Sequence, residues 1–289
     1  VRLNKYISET GRCSRREADQ WIEAGRVTLN GVRAQLGLKV ADGDEVRIDG
    51  ELLGARKKPV YIALNKPPGI TCTTETEVKD NIVDFVGHSE RIFPVGRLDK
   101  DSEGLILLTN DGDIVNEILR SEHEHQKEYL VQVNRPITDL SLSMLASGVK
   151  IMGVTTKPCK VTRVGRDGFS IVLTQGLNRQ IRRMCSALGY RVERLRRVRI
   201  IGIELGSLAP GAWRYLSTAE VAGLWARELK SSAAPTPKRP PSIAGPSPSA
   251  SPDPAPGSRT SERSPRPHRP SVWSSTRGRK AVPPSSTRR

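Results

Sequence analysis

Gly96-Arg97-Leu98-Asp99-Lys100-Asp101-Ser102-Glu103-Gly104-Leu105-Ile106-Leu107-Leu108-Thr109 sets a short charged segment between two glycines and runs straight into an apolar strand. A helix-like stretch follows at 112–119 and a further strand-like run at 129–133. Outward from here no regular alternation continues. Strand-like runs at 60–64, 159–164 and 169–173 are interleaved unevenly with helix-like stretches at 139–146 and 178–188, and no G-x-G-x-x-G or P-loop is present. The expectation is an α+β protein with a mixed, mostly antiparallel sheet flanked by helices and loops, without a nucleotide cofactor.

The same stretch holds the first chemical candidate. A carboxylate such as Asp99, on a rigid turn before a strand, is placed to act as acid, base or nucleophile, although a plain polar turn has the same appearance. A second candidate is Lys127-Glu128-Tyr129-Leu130-Val131, a strand whose Tyr129 ring either stacks on a base or fills the core. The third is Gln175-Gly176-Leu177-Asn178-Arg179-Gln180-Ile181-Arg182-Arg183-Met184-Cys185. Here Asn178 reads as a helix cap, and Arg179, Arg182 and Arg183 share a face opposite Ile181, Met184 and Cys185. Residues 178–199 carry eight arginines against Glu193 alone, a density that calls for phosphates or buried carboxylates unless it is a solvated face.

Charge narrows the choice of partner. The 289 residues hold 47 Lys plus Arg against 31 Asp plus Glu, a formal charge of +16, which points to a polyanion. No apolar run approaches the ~18 residues of a membrane span. No secretory signal is read at the start, and Cys13, Cys72, Cys159 and Cys185 lie far apart with no C-x-x-C pair. A reducing, cytoplasmic home is therefore expected.

Composition changes sharply near residue 230. From Ser231 onward the chain holds 14 of its 21 prolines, 14 serines and eleven basic residues against two acidic ones, a mixture that cannot offset its ordering entropy. Residues 230–289 are expected to form a disordered basic tail, either an extra RNA contact or a solubility extension. Residues 50–59, with Gly, Leu and charge before the run at 60–64, read as a linker. The expected domains are thus 1–56, 57–229 and the tail.

In the first of these, Leu3, Tyr6 and Ile7 fall at helical spacing, and Ser14 followed by Glu17 reads as the capping box of a helix over 14–24. Val27-Thr28-Leu29 and the Asn30-Gly31 turn suggest a hairpin, with another strand near Gly43-Asp44-Glu45-Val46-Arg47-Ile48. The segments Arg2-Leu3-Asn4-Lys5-Tyr6, Cys13-Ser14-Arg15-Arg16-Glu17-Ala18, Val27–Gly31 and Gly43-Asp44 together resemble the S4 RNA-binding domain. That resemblance implies RNA contacts by Lys5, Arg12, Arg15, Arg16 and Arg26, with acids such as Asp42, Asp44 and Asp49 expected elsewhere.

Ala63-Leu64-Asn65-Lys66-Pro67-Pro68-Gly69, the 96–105 segment, Lys127-Glu128-Tyr129 and Asn178-Arg179-Gln180-Ile181-Arg182-Arg183-Met184, in this order behind an S4-like module, resemble the RsuA/RluB/RluE/RluF group of pseudouridine synthases over about residues 1–225. Residues 80–86, 91–94 and 175–178 look most like the RluF branch, which modifies large-subunit (23S) ribosomal RNA. The resemblance implies that Asp99 is the catalytic carboxylate, that Arg182, with Arg179 second, keeps it ionised, and that Tyr129 stacks on a flipped uridine. Arg97 is expected to fill the vacated space or hold the flipped backbone, with Arg179 and Arg183 also on RNA. No metal or other cofactor is implied. The partner would be a structured rRNA hairpin, free or in an assembling ribosomal particle, and the protein a monomer. Two competing readings are a non-catalytic RNA-binding or ribosome-assembly protein, and a glycoside hydrolase pairing Asp99 with Asp101. The second is poor, because i and i+2 carboxylates seldom face each other across a sugar.

Overall fold

Buried apolar spacing and one cap account for the first fifty residues. In the computed structural model, which describes residues 1–119 and 125–231, α1 (Leu3–Glu9) buries Leu3 and Ile7, four apart on one face. Helix α2 (Arg15–Glu23) begins at the expected box: Ser14 Oγ accepts from the Glu17 amide at 3.2 Å and the Glu17 carboxylate accepts from the Ser14 amide at 2.6 Å. Strands β1 (Val27–Leu29) and β2 (Val32–Arg33) turn through Asn30 and Gly31, both at positive φ as this tight hairpin requires. With β3 (Val46–Ile48) and β4 (Glu51–Leu52) they form an antiparallel sheet in the order β2-β1-β3-β4 over a core that includes Ile7, Ala18, Ile22 and Val27.

The expected linker is shorter than composition suggested. Glu51 and Leu52 pair with β3, and Leu53 is buried in the small core, so the connection starts at Gly54. It is also fastened along its length: the Lys57 amide donates to the Glu9 carbonyl at 3.1 Å, Arg56 pairs with Glu9 and lies over the Tyr6 ring, and Lys57 reaches Glu90.

The remainder contributes β5 (Tyr61–Lys66), α3 (Ile82–Val86), β6 (Phe93–Val95), β7 (Glu103–Thr109), α4 (Gly112–Leu119), β8 (Lys127–Val133), α5 (Asp139–Ser147), β9 (Lys150–Ile151), β10 (Val154–Thr155), β11 (Lys160–Arg163), β12 (Gly168–Leu173), α6 (Gln180–Ala187), β13 (Val192–Ile200), β14 (Ile203–Glu204), β15 (Trp213–Tyr215) and α7 (Thr218–Ser231). Nine of these strands form one sheet, with the path β11-β12-β8-β13-β7-β5-β15 and with β14 and β6 attached to β13 and β7. Every pairing is antiparallel except β13 with β7, so the sheet is mixed and mostly antiparallel, as the uneven spacing of elements implied. Strands β5 and β7, inside the edge strand β15, have both faces covered: Ala63, Leu105 and Leu107 enter one core, and Ile62, Leu64, Ile106 and Leu108 another. Double coverage explains why they read as continuous apolar runs. A third core joins α5 and α6 to β8, β12 and β13 through Leu145, Met184, Val131, Phe169 and Leu195.

Residues 200–205 form a hairpin, because Ile201 sits at φ 56° and ends β13 before β14 starts. The basic tail expected at 230–289 lies outside the described residues apart from 230 and 231, which close α7. Among the described residues no helix is long and apolar enough to cross a membrane.

Candidate active site

The charged segment between the two glycines connects β6 to β7, which pair antiparallel. Leu98 is buried and its amide points at Cys72 Sγ, 3.4 Å away, while the Ser102 amide donates to the Asp99 carbonyl at 3.0 Å and closes a turn. From below, the fully buried Lys66 at the end of β5 donates to the carbonyls of Pro67 at 2.8 Å and Lys100 at 3.3 Å. Gly69 donates to the same Lys100 carbonyl at 2.8 Å. Burial lowers the Lys66 pKa from its ordinary value, with Asp101 and Asp99 acting in the opposite direction. Lys66 belongs to the quoted 63–69 motif but carried no expected role. A lysine ending an apolar strand was the available signal.

Asp99 is thereby presented at the rim of a cavity lined by Leu98, Tyr129, Leu173, Gln180 and Leu195 among others. Its Oδ2 lies 3.5 Å from Arg179 Nη1 and 3.8 Å from Arg182 Nε. Both are ion pairs too long for a direct hydrogen bond. Arg182 is the better anchored, its Nη2 donating to Ser102 Oγ at 3.2 Å and the Asp101 carbonyl at 3.4 Å, and its Nη1 to the Val192 carbonyl at 3.3 Å. Its Nε is buried without a hydrogen-bond partner and faces the carboxylate. Arg179 is more exposed and also reaches Asp101 at 3.6 Å. Tyr129, half-buried, forms another wall.

Other expected residues part company here. Helix α6 starts at Gln180, preceded by Arg179 in the left-handed region at φ 49° with no side-chain cap. Asn178 does not cap it. The Asn178 carbonyl and Oδ1 accept from Arg183 at 3.0 and 3.1 Å, so Arg183 turns away from the face shared by Arg179 and Arg182. Arg97 is exposed beside the turn, with no ion pair among the described residues. Two of the eight arginines at 178–199 are met by acids on neighbouring strands, Arg194 by Glu103 and Arg199 by Glu128.

In the N-terminal part the cations divide. Lys5 is held by Asp113 at 2.7 Å and by Glu9, Arg12 by Glu51 at 3.4 Å, and Arg26 by Asp49 while it lies over Trp21. Asp49 was expected away from the cations, and the hairpin geometry brings it directly onto one. Arg15 and Arg16 make no ion pair among the described residues and line a groove where the first helices meet α4, together with Lys57 and Arg91.

Comparison with known proteins places this geometry. The RNA pseudouridylate synthase family model matches residues 60–187 and the S4 domain model residues 1–46. The chain is 53% identical over 249 residues to the dual-specificity RNA pseudouridine synthase RluF of Escherichia coli K12, covering 85% of this chain and 86% of that one. The chain belongs to the RNA pseudouridine synthases. This synthase is also 35% identical to ribosomal large subunit pseudouridine synthase B of Bacillus subtilis over 76% of its own length and 93% of the relative's. A crystal structure of a pseudouridylate synthase superposes with a TM-score of 0.56 at 31% identity, covering 78% of the synthase and 99% of that chain. The synthase is an RluF-like isomerase with an N-terminal S4 domain.

Proposed function

We propose that this synthase converts uridine to pseudouridine in large-subunit (23S) ribosomal RNA, with Asp99 as the catalytic carboxylate. The observation that carries the assignment is the Asp99 carboxylate at the cavity rim, facing two guanidinium groups at the N-terminal end of α6. Arg182 and Arg179 set two positive charges beside that carboxylate and orient it towards the cavity. Asp99 attacks the uridine, at ribose or ring, and the N1–C1′ bond breaks. The uracil turns, the C5–C1′ bond forms, the bond between Asp99 and the nucleotide breaks to return the free carboxylate, and the proton lost from C5 is balanced by one gained at N1. Atoms and electrons are conserved.

Removing the uridine from its stack costs about a few kcal/mol, and the Tyr129 ring replaces part of the lost stacking. Arg97, exposed and without an ion pair among the described residues, occupies the space left in the RNA. Arg15 and Arg16 grip phosphate in the S4 part, residues 1–56. Lys5, Arg12, Arg26 and Arg183 contribute less, because each already has an acid or carbonyl partner in the protein. We assign the catalytic part to residues 57–229, acting as a monomer on a structured hairpin in the cytoplasm, where four free cysteines are stable. The dual-specificity name of the relatives at 53% identity supports a second RNA substrate, and transfer RNA is the one to test.

Mapping pseudouridine by carbodiimide labelling and reverse-transcription stops tests the proposal, using ribosomal and transfer RNA from cells lacking the protein. The expected result is a new large-subunit stop with wild-type protein and none with Asp99→Ala, at unchanged RNA affinity. A stop that persists with Asp99→Ala would remove the carboxylate assignment, and stops confined to other RNAs would remove the substrate.

A further inference from the structure

Arg197 is buried, 3% exposed, yet it makes no ion pair among the described residues. Its Nε donates to the Leu105 carbonyl at 2.7 Å, which fixes the head group, while Nη2 is buried with no hydrogen-bond partner. An unpaired buried guanidinium is costly to keep, and an apolar side chain like Leu195, two residues earlier, fills such a position at lower cost. Scaffolding alone therefore does not account for it.

The sheet register supplies an explanation. Tyr129 on β8 is paired with Arg197 on β13, Arg197 with Gly104 on β7, and Gly104 with Lys66 on β5. One row across four strands thus links the cavity's aromatic wall to the strand that begins where the Asp99 turn ends, and to the lysine that holds that turn. Gly104 lacks a side chain at the one point where β7 comes too close to Arg197 to admit one: a Cβ there would fall 2.2 Å from the Arg197 carbonyl oxygen. The guanidinium carbon of Arg197 lies 6.0 Å from the centre of the Tyr129 ring, within cation-π range.

We propose that Arg197 is a positioning residue for the isomerisation, acting through Tyr129: the guanidinium, fixed by the Leu105 carbonyl, holds the Tyr129 ring at the angle at which it meets the target base. The proposal rests on the reading of Tyr129 as the stacking wall. Arg197 itself touches neither substrate nor Asp99.

A double-mutant cycle tests it, with single-turnover rates at saturating substrate RNA, RNA affinity and thermal unfolding measured for Arg197→Met, Arg197→Lys, Tyr129→Ala and the doubly substituted proteins. In the wild-type background Arg197→Met is expected to lower the rate about 30-fold with affinity within about 3-fold, and Arg197→Lys to recover part of it. In the Tyr129→Ala background the same substitutions are expected to cost less than about 3-fold, since the ring they act through is gone. An equal rate loss in both backgrounds overturns the proposal, as does a loss of rate that tracks a fall in melting temperature. If Arg197→Met does not fold, the Arg197→Lys pair gives the same comparison. A Tyr129→Ala protein at wild-type rate would instead remove the stacking role of Tyr129, a separate failure.

Discussion

Substituting Gly104 with alanine tests the joint between β7 and β13. Gly104 sits at φ +102°, where L residues are strained, and an added Cβ meets the Arg197 carbonyl oxygen at 2.2 Å and the Arg197 nitrogen at 2.8 Å. Both atoms are backbone, so relief requires the strands to part by about 1 Å to reach ordinary contact. These strands pair at two positions, Arg196 with Glu103 and Arg197 with Gly104. Backbone strain together with the loss of one or two ladder bonds sets the expected destabilisation at about 3 to 5 kcal/mol. Gly112→Ala is the control. There the Cβ meets Arg15 Nη2 at 2.8 Å, the far end of a flexible side chain, and the position is helical, so a change of no more than about 1 kcal/mol is expected in either direction. Urea unfolding followed by circular dichroism should show the Gly104→Ala midpoint lower by about 1 to 2 M. If the two variants unfold at the same urea concentration, the close approach is not what demands glycine, and the argument from the register row weakens with it.

Other outcomes follow from individual charges. Arg15→Ala and Arg16→Ala should each weaken RNA binding and lower the salt dependence by about one counterion, whereas Lys5→Ala and Arg26→Ala, whose cations are engaged by Asp113 and Asp49, should change both less. Filter binding across a salt series reads the difference, and equal effects from all four would contradict the division. Glu220 is held at about 2, below its ordinary 4.5, chiefly by its hydrogen bonds with Arg214 and also by the Ser217 cap. Its folded pKa is depressed, so the stabilisation is complete above 4.5 and fades as pH falls towards about 2. Because solvent screens the pair, Glu220→Gln should cost about 1 kcal/mol at pH 7, and that difference should vanish in urea titrations run near pH 2.

Local sequence signals located the elements whose partners are close in the chain. Ser14 and Glu17 satisfy each other within one helical turn, and Asn30-Gly31 has the residue types that the positive-φ turn needs, so both were legible as written. The α+β class was legible for a related reason, since the apolar runs at 60–64 and 105–109 carry their double burial in their composition. Tertiary partners were not legible. Asn178 has the residue type of a helix cap, but its oxygens are taken by Arg183. Lys5 and Arg26 read as free cations because Asp113 and Asp49 lie 108 and 23 residues away in the chain. At the candidate site, Asp99, Arg179 and Arg182 were nameable through the family motifs, whereas Lys66 and Arg197 act through backbone carbonyls and register, which no spacing rule reveals.

The single parallel joint has a consequence for synthesis. Lys66, Asp99 and Gly104 come from one stretch of chain, and Tyr129, Arg179, Arg182 and Arg197 from another that a ribosome makes later. Until β13 has left the exit tunnel, β7 lacks its parallel neighbour and Tyr129 on β8 lacks its register partner Arg197. Contacts of such long range form late and slowly. A nascent chain stalled before residue 192 therefore holds a complete S4 sheet able to meet RNA, joined to a sheet still without β13, β14 and β15.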